Sequence, residues 1–459
     1  MFATPAGYDR GIETPAARAP RASVDREILR LAVPALGALI AEPLFLLADS
    51  AMVGHLGGAP LAGPGIAAAI LQTIVGLMVF LAYGTTPAVA RMLGAGDRRG
   101  AVAAGIDGMW LALGLGVLLA IGGRLATPAL VHAFGATGAV ASAASDYLAV
   151  SMAGIPAMLI VYAATGLLRG LLDTRTPLVV AVCGFAANIV LNFVFIYPAG
   201  LGIVGSALGT VVAQWGMVVV YVAVAVHHAR RAGARLRPEH AGVLAHIGVG
   251  GWLFVRTAAL RAAMLLAVFT ATSLGDDELA AFQVAITIFG TLAFAMDALA
   301  IAAQALVGRA LGASDPDAVR AVLRRCLVWG IGSGVVLGAI TAGLSPVLGH
   351  AFTSDAVVAS LVPPAVALIG IGAPLGGYVF VLDGVLIGAG DARYLAWTGI
   401  VNTAAFVPLA LAVWGWAPHD VRGLAWLAAA FAFGYIGARA VTLGLRAHGS
   451  RWIVSGATR

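Results

Sequence analysis

Displaced by 218 residues, this chain partly matches itself. PALVHAFG at 128–135 aligns with PVLGHAFT at 346–353, RMLGAGD at 91–97 with RALGASD at 309–315, and LLRGLLD at 167–173 with VLIGAGD at 385–391. Gly154 and Pro156 meet Gly372 and Pro374 at the same offset. One fixed offset across the first half calls for two equivalent lobes related by duplication, an architecture that recurs in secondary transporters. A ligand is then expected at the centre, between the lobes.

Composition fixes the solvent. With 61% hydrophobic residues, 10% charged residues and mean hydropathy +0.97, the chain cannot hide its apolar surface in one aqueous core. It reads as a polytopic membrane protein. All 27 basic residues are arginine, so a phosphate-loop lysine and a lysine Schiff base are both excluded. Cys183 and Cys326 fall in or beside apolar segments without a second cysteine nearby, which indicates neither a metal pair nor a disulfide framework. No cofactor is expected.

Apolar stretches at 28–54, 61–90, 101–122, 142–168, 177–198, 202–228, 244–274, 279–308, 321–344, 357–388, 394–416 and 423–445 are each long enough to span a bilayer. The expected fold is therefore an all-α membrane protein of twelve transmembrane helices in two six-helix lobes. Residues 1–27 read as a disordered cytoplasmic leader, 28–226 and 244–445 as the lobes, 227–243 as a cytoplasmic linker and 446–459 as a cytoplasmic tail. Counting the termini and alternate loops on one side collects 23 of the 27 arginines, which places both termini in the cytoplasm by the positive-inside rule. The same rule accounts for the basic run at 227–240 without nucleic acid as a partner. An even number of helices per lobe makes the lobes parallel, related by an axis along the membrane normal.

Ionisable groups inside a span are expensive, so each is a functional candidate. Glu42 and Asp49 are seven residues apart on helix one and share a face within about 20°. Pro34 and Pro43 lie in the same helix, each removing a backbone donor, so the helix is expected to bend there. Asn188 and Asn192, one turn apart on helix five, can face Asp49 or a substrate, or join helices. In the second lobe, Arg256 of helix seven and Asp297 of helix eight are expected to neutralise each other, with Asp383 of helix ten a similar, weaker candidate. Asp97, Asp173, Asp315 and Asp391 repeat beside arginines and read as turn and cap residues. His132 and His350 read as interfacial or structural.

LAVPALGALIAEPLFLLADSAMVGHLGG, GLLRGLLDTRTPL, NIVLNFVF, FAMDALAIAAQALVGRALGASD and LDGVLIGAGDARY, in this order and with the half-chain repeat, resemble the multidrug and toxic compound extrusion (MATE) transporters, in the branch typified by DNA-damage-inducible protein F. The resemblance covers roughly residues 28–445. It implies an inner-membrane antiporter, here expected as a monomer in the lipid bilayer, that exports cationic or amphipathic organic compounds in exchange for H+ or Na+. By it, Asp49 falls on the helix-one carboxylate held to bind the coupling ion, Pro34 on the proline at which that helix bends, and Asn188 on an asparagine of the same cluster. Asn192 departs from the aspartate many relatives carry, and the helix-seven glutamate of the vibrio-type branch is not evident.

The expected mechanism is alternating access. Asp49 takes up a proton from the outer side, helix one loses its hold on the helix-five amides and bends, and substrate leaves outward. A proton is favoured over sodium because it needs one acid rather than several oxygens. A flippase for lipid-linked precursors would need a cationic groove, and few arginines stand deep in the spans. An intramembrane enzyme would need a zinc motif, a DDxxD cluster or a nucleophile with its base, and none is found.

Overall fold

The computed structural model describes residues 21–54 and 58–457; side chains at 21, 22, 46–51, 53–54 and 58–62 lie outside the description. Among the described residues there are twelve helical spans and no strands. They are α1 (Arg21–Gly54), then α2 (Gly63–Gly94), α3 (Arg98–Ala133), α4 (Gly138–Gly170), α5 (Arg175–Ile196), α6 (Gly202–Ala232), α7 (His240–Thr272), α8 (Asp276–Gly312), α9 (Pro316–Phe352), α10 (Ala356–Gly388), α11 (Ala392–Trp416) and α12 (Val421–His448). With twelve spans, the start of α1 and the end of α12 lie on one face of the molecule, called here the terminal face.

Three spans are interrupted. A turn at Met78 and Val79 divides α2, a 3-10 turn at Met152–Gly154 precedes Pro156 in α4, and a π turn at Ala430–Tyr435 widens α12. By contrast α1 runs as one helix through Pro34 and Pro43.

Apolar side chains gain little from leaving lipid for another apolar surface, so helices in a membrane associate where small residues let backbones touch. The repeat motifs supply those residues at matching positions. A Cβ added to Gly170 of α4 would meet the Thr86 carbonyl of α2 at 2.8 Å, and one added to Gly388 of α10 would meet the Gln304 carbonyl of α8 at 2.6 Å. Gly116 packs on Pro156 at 2.5 Å and Gly334 on Pro374 at 2.7 Å in the same sense. All four pairs repeat at an offset of 218, so the sequence repeat is a repeat of close helix contacts. Turn geometry is duplicated too: Gly96 and Ser314 are both left-handed, with φ of 81° and 54°. The serine tolerates a conformation that disfavours a Cβ by roughly 1–2 kcal/mol.

At the terminal face the two lobes seal backbone to backbone. Gly94 of α2 lies against the Arg309 carbonyl of α8, and Gly312 of α8 against the Arg91 carbonyl of α2. Farther from this face, side chains take over the seam: Leu253 approaches Gly84, and the Arg261 guanidinium lies over Gly76.

Polar clamps reinforce the closed face. The Arg325 guanidinium donates through Nε to Oδ1 of Asp25 at 2.7 Å and through Nη2 to Oδ2, while the Trp329 indole donates to Oδ1 at 3.0 Å. Arg309 pairs with Glu27 at 2.7 Å. Residues 21–27, expected in the leader, are thus the first turns of α1 bound to the opposite lobe; residues 1–20 lie outside the described residues. On the other side of the seam, Arg235 donates to the buried Asp107 of α3 at 2.8 Å and the Glu239 amide to its second oxygen at 2.9 Å. The linker between the lobes is shorter than 227–243, since α6 ends at Ala232 and α7 begins at His240.

The expected tail also docks. Trp452 is fully buried, and Arg91 donates to the carbonyls of Val454 at 3.0 Å, Gly456 at 3.1 Å and Ala389 at 2.9 Å.

Candidate functional site between the lobes

Helix α1 is held along α5. Gly37 faces Leu178, the rings of Phe45 and Phe185 stack 5.2 Å apart at 7°, and the Tyr197 hydroxyl donates to the Met52 carbonyl at 3.0 Å. These contacts set the two helices parallel and place position 49 at about the depth of Asn188. The carboxylate of Asp49 itself lies outside the described side chains.

Asn188 and Asn192 are buried, at 3% and 0% exposure. Their nearest described neighbours belong to α6. Thr210 donates to Oδ1 of Asn188 at 3.5 Å, and Gly209 leaves the room that Oδ1 of Asn192 occupies. Both amides therefore also help to join α5 to α6, one of the two roles open from sequence.

Glu42 is exposed on α1, within electrostatic reach of Tyr162 on α4. Arg261 of α7 reaches the same tyrosine and is itself exposed. Because Gly76 has no side chain, the guanidinium can lie against α2, across the seam. Glu42, Tyr162 and Arg261 thus bring both lobes to one space.

Deeper toward the terminal face is a second cluster, and here a sequence expectation is corrected. Arg256 does not take Asp297 as its partner. It donates through Nε to Oδ1 of Asp383 at 3.1 Å and through Nη2 to Oδ2, a two-pronged fit that the planar guanidinium favours. Arg439 of α12 approaches the same carboxylate at 3.5 Å. Asp297 instead accepts a hydrogen bond from the Tyr83 hydroxyl of α2 at 3.3 Å, and the Arg256 guanidinium stands 5.8 Å above the Tyr83 ring. Helix α7 packs mainly on α11 and also borders α2, α3 and α8, yet the Arg256 side chain reaches past α8 to the carboxylate that α10 presents and Arg439 of α12 shares.

Tyr83, Tyr162, Arg169 and Arg439 were missed from sequence. The tyrosines carry no formal charge, and the two arginines fall near helix ends where they count toward topology. Arg439 is only 8% exposed, and Arg169 acts electrostatically on Asp297 and Tyr83.

The remaining polar candidates are structural. Asp97 caps the amide of Gly100 at 2.7 Å, Asp315 that of Ala318 at 2.9 Å, and Asp173 those of Arg175 and Thr176 at 3.0 Å. Asp391 likewise stands at the N-cap position of α11, where its carboxylate pairs with Arg446 at 2.7 Å. His132 and His350 are exposed near helix ends. Cys183 is exposed and Cys326 buried, both free thiols.

Two six-helix lobes built on one repeat, meeting at intramembrane charge and sealed on one face, define a two-lobed membrane transporter. The MatE family profile matches residues 34–194 and 253–413, one copy in each lobe. The chain belongs to this family, the MATE transporters. It is 29% identical to Protein DETOXIFICATION 43 of Arabidopsis thaliana over 92% of this chain and 90% of that protein. It is also 29% identical to DNA damage-inducible protein F of Escherichia coli, over 64% of this chain and 65% of that one. In fold it resembles a MOP superfamily transporter from Pyrococcus furiosus, described as having a binding pocket of reverse polarity, with TM-score 0.85, 23% identity and 94% and 96% of the two chains covered.

Proposed function

We propose that this transporter is an ion-coupled antiporter of the inner membrane that exports amphipathic organic compounds by alternating access, with a proton favoured over sodium. The observation that supports this most is the asymmetry of the seam. The lobes close backbone to backbone at the terminal face, while Glu42 and Arg261 remain exposed farther along the spans. With the terminal face cytoplasmic, as the arginine distribution favours, that arrangement is an outward-facing state.

In this reading Asp49 is the coupling carboxylate. A charge at that depth is costly in a low-dielectric lobe, so neutralising it with a proton removes a large term and allows α1 to repack against α5. Pro34 and Pro43 leave two carbonyls of α1 without intrahelical donors, which lowers the resistance to bending between them. Glu42, on the same helix, faces the shared space and tunes the pH at which the change occurs. Transport by sealed vesicles under an imposed pH gradient, compared with an imposed sodium gradient of equal size, tests the proposal. Efflux driven by sodium alone would overturn proton coupling.

One observation favours a second reading of the substrate. Arg261 is exposed, and among the described residues no carboxylate lies within ion-pair distance of it. Arg169 adds positive charge nearby. Amphipaths that carry an acidic group would be held there. Competition of efflux by organic anions against organic cations separates the two.

A further inference from the structure

The contact between Tyr83 and Asp297 joins the lobes at the depth where they must part. Tyr83 belongs to α2 of the first lobe and Asp297 to α8 of the second, and the hydroxyl donates to Oδ2 at 3.3 Å. From this point toward the terminal face, the same two helices run in contact to Gly94 and Gly312. The arginine expected to neutralise Asp297 is engaged by Asp383 and stands over the Tyr83 ring.

Several charged and titratable groups surround the pair. Arg169 of α4 and Arg256 of α7 act on Asp297 directly, and Tyr162 of α4 acts through Tyr83. Helix α10 brings Asp383, which pairs with Arg256, and α12 brings Arg439, which approaches that same Asp383 carboxylate. Helix α1, packed on α8 through Ala35, Ala298 and Ile301, brings Glu42. Helix α9 brings Arg325, committed to Asp25 near the terminal face. Asp297 is therefore a carboxylate whose hydrogen-bond donor comes from the opposite lobe.

The geometry points to Asp297 as a proton-sensitive lock between the lobes. As a carboxylate it holds the Tyr83 hydroxyl and keeps α2 against α8. A proton delivered from the space between the lobes binds a carboxyl oxygen, removes the charge that attracts the hydroxyl, and frees the two helices to separate. The same proton leaves when the opened terminal face exposes Asp297, so the carboxylate is regenerated and no other bond changes. Asp297 positions the gate and is distinct from Asp49; the role rests on the alternating-access reading above.

Spin labels at Arg99→Cys and Asp317→Cys, positions equivalent by the repeat and exposed on the terminal face, report the opening. Cys183 and Cys326 are replaced by alanine in this background. In liposomes the distance between labels should lengthen as pH falls from about 8 to about 5.5. Asp297→Asn should already show the longer distance at the higher pH and lose the pH response. The open-to-closed ratio should rise roughly tenfold, as expected when a hydrogen bond to a charged acceptor is lost. Tyr83→Phe removes only the hydroxyl and keeps the ring beneath Arg256, so it should shift the ratio alike and decides the matter if Asp297→Asn does not fold. A full wild-type pH response in either variant overturns the lock. A pH-dependent opening in a protein whose efflux ignores ion gradients would instead overturn the antiporter reading and leave the lock standing.

Discussion

Gly94 and Gly312, equivalent positions of the two lobes, each lie against a backbone carbonyl of the other lobe, that of Arg309 and of Arg91 respectively. The contact is made twice about one axis, so any atom added at one position strains a seam shared with the other.

Gly94→Ala is expected to push α2 from α8, because the new methyl group would overlap backbone rather than a side chain that can swing away. Overpacking of this kind costs about 1–3 kcal/mol. The midpoint of thermal unfolding in detergent should fall, and Gly94→Ala with Gly312→Ala should depart from additivity. A midpoint equal to wild type in the single variant would mean that the terminal face is not closed through these glycines.

The Arg256–Asp383 pair predicts a specific pattern of coupling. Asp383→Asn leaves Arg256 and Arg439 around a neutral side chain, and removing one member of a buried pair costs about 3–5 kcal/mol. Combining it with Arg256→Met should recover part of the lost folded protein. The combination of Arg256→Met with Asp297→Asn should recover none. Yields of folded protein by fluorescence-detected gel filtration distinguish the two cycles, and recovery only in the second would restore the Asp297 pairing.

Asp49→Asn mimics a protonated carboxyl. Expression should stay near wild type, substrate should bind with reduced affinity, and gradient-driven efflux should vanish. Glu42→Gln should be milder and mainly move the pH dependence of transport. Uphill efflux at wild-type rate by Asp49→Asn in sealed vesicles would show that coupling lies elsewhere.

The sidedness of the molecule is open to a direct check. Reporter fusions at Ala234, in the linker between the lobes, should be active on the cytoplasmic side, and fusions at Ala199, between α5 and α6, on the opposite side. Cytoplasmic activity at Ala199 would invert the assignment.

The spans and the repeat are legible in the sequence because both follow from local properties: hydropathy over about 20 residues, and glycines recurring where backbones touch. The caps at Asp97 and Asp315 are legible for the same reason. The partner of Arg256 is not. Helices seven and eight adjoin in sequence, which makes Asp297 the natural choice, but helix packing brings in Asp383 from a helix more than 100 positions further on. The role of Tyr83 is hidden because an uncharged side chain raises no alarm in an apolar segment. The beginning of α1 is hidden in the sequence because Asp25 and Glu27 look like solvent-exposed polarity until Arg325 and Arg309 are seen beside them.

Asp107 and Arg325 occupy equivalent positions in α3 and α9, yet carry opposite charges. Each is held from the start of the other lobe, Asp107 by Arg235 just before α7 and Arg325 by Asp25 in the first turns of α1. Were two first lobes to associate in the same geometry, Asp25 would face Asp107; two second lobes would set Arg235 against Arg325. Like-charge juxtaposition disfavours both assemblies, whereas the mixed one pairs all four of these charges. The duplicated halves have thus diverged in charge at one equivalent position, so that these two pairs favour the contact of one half with its diverged sibling over a contact with its own copy.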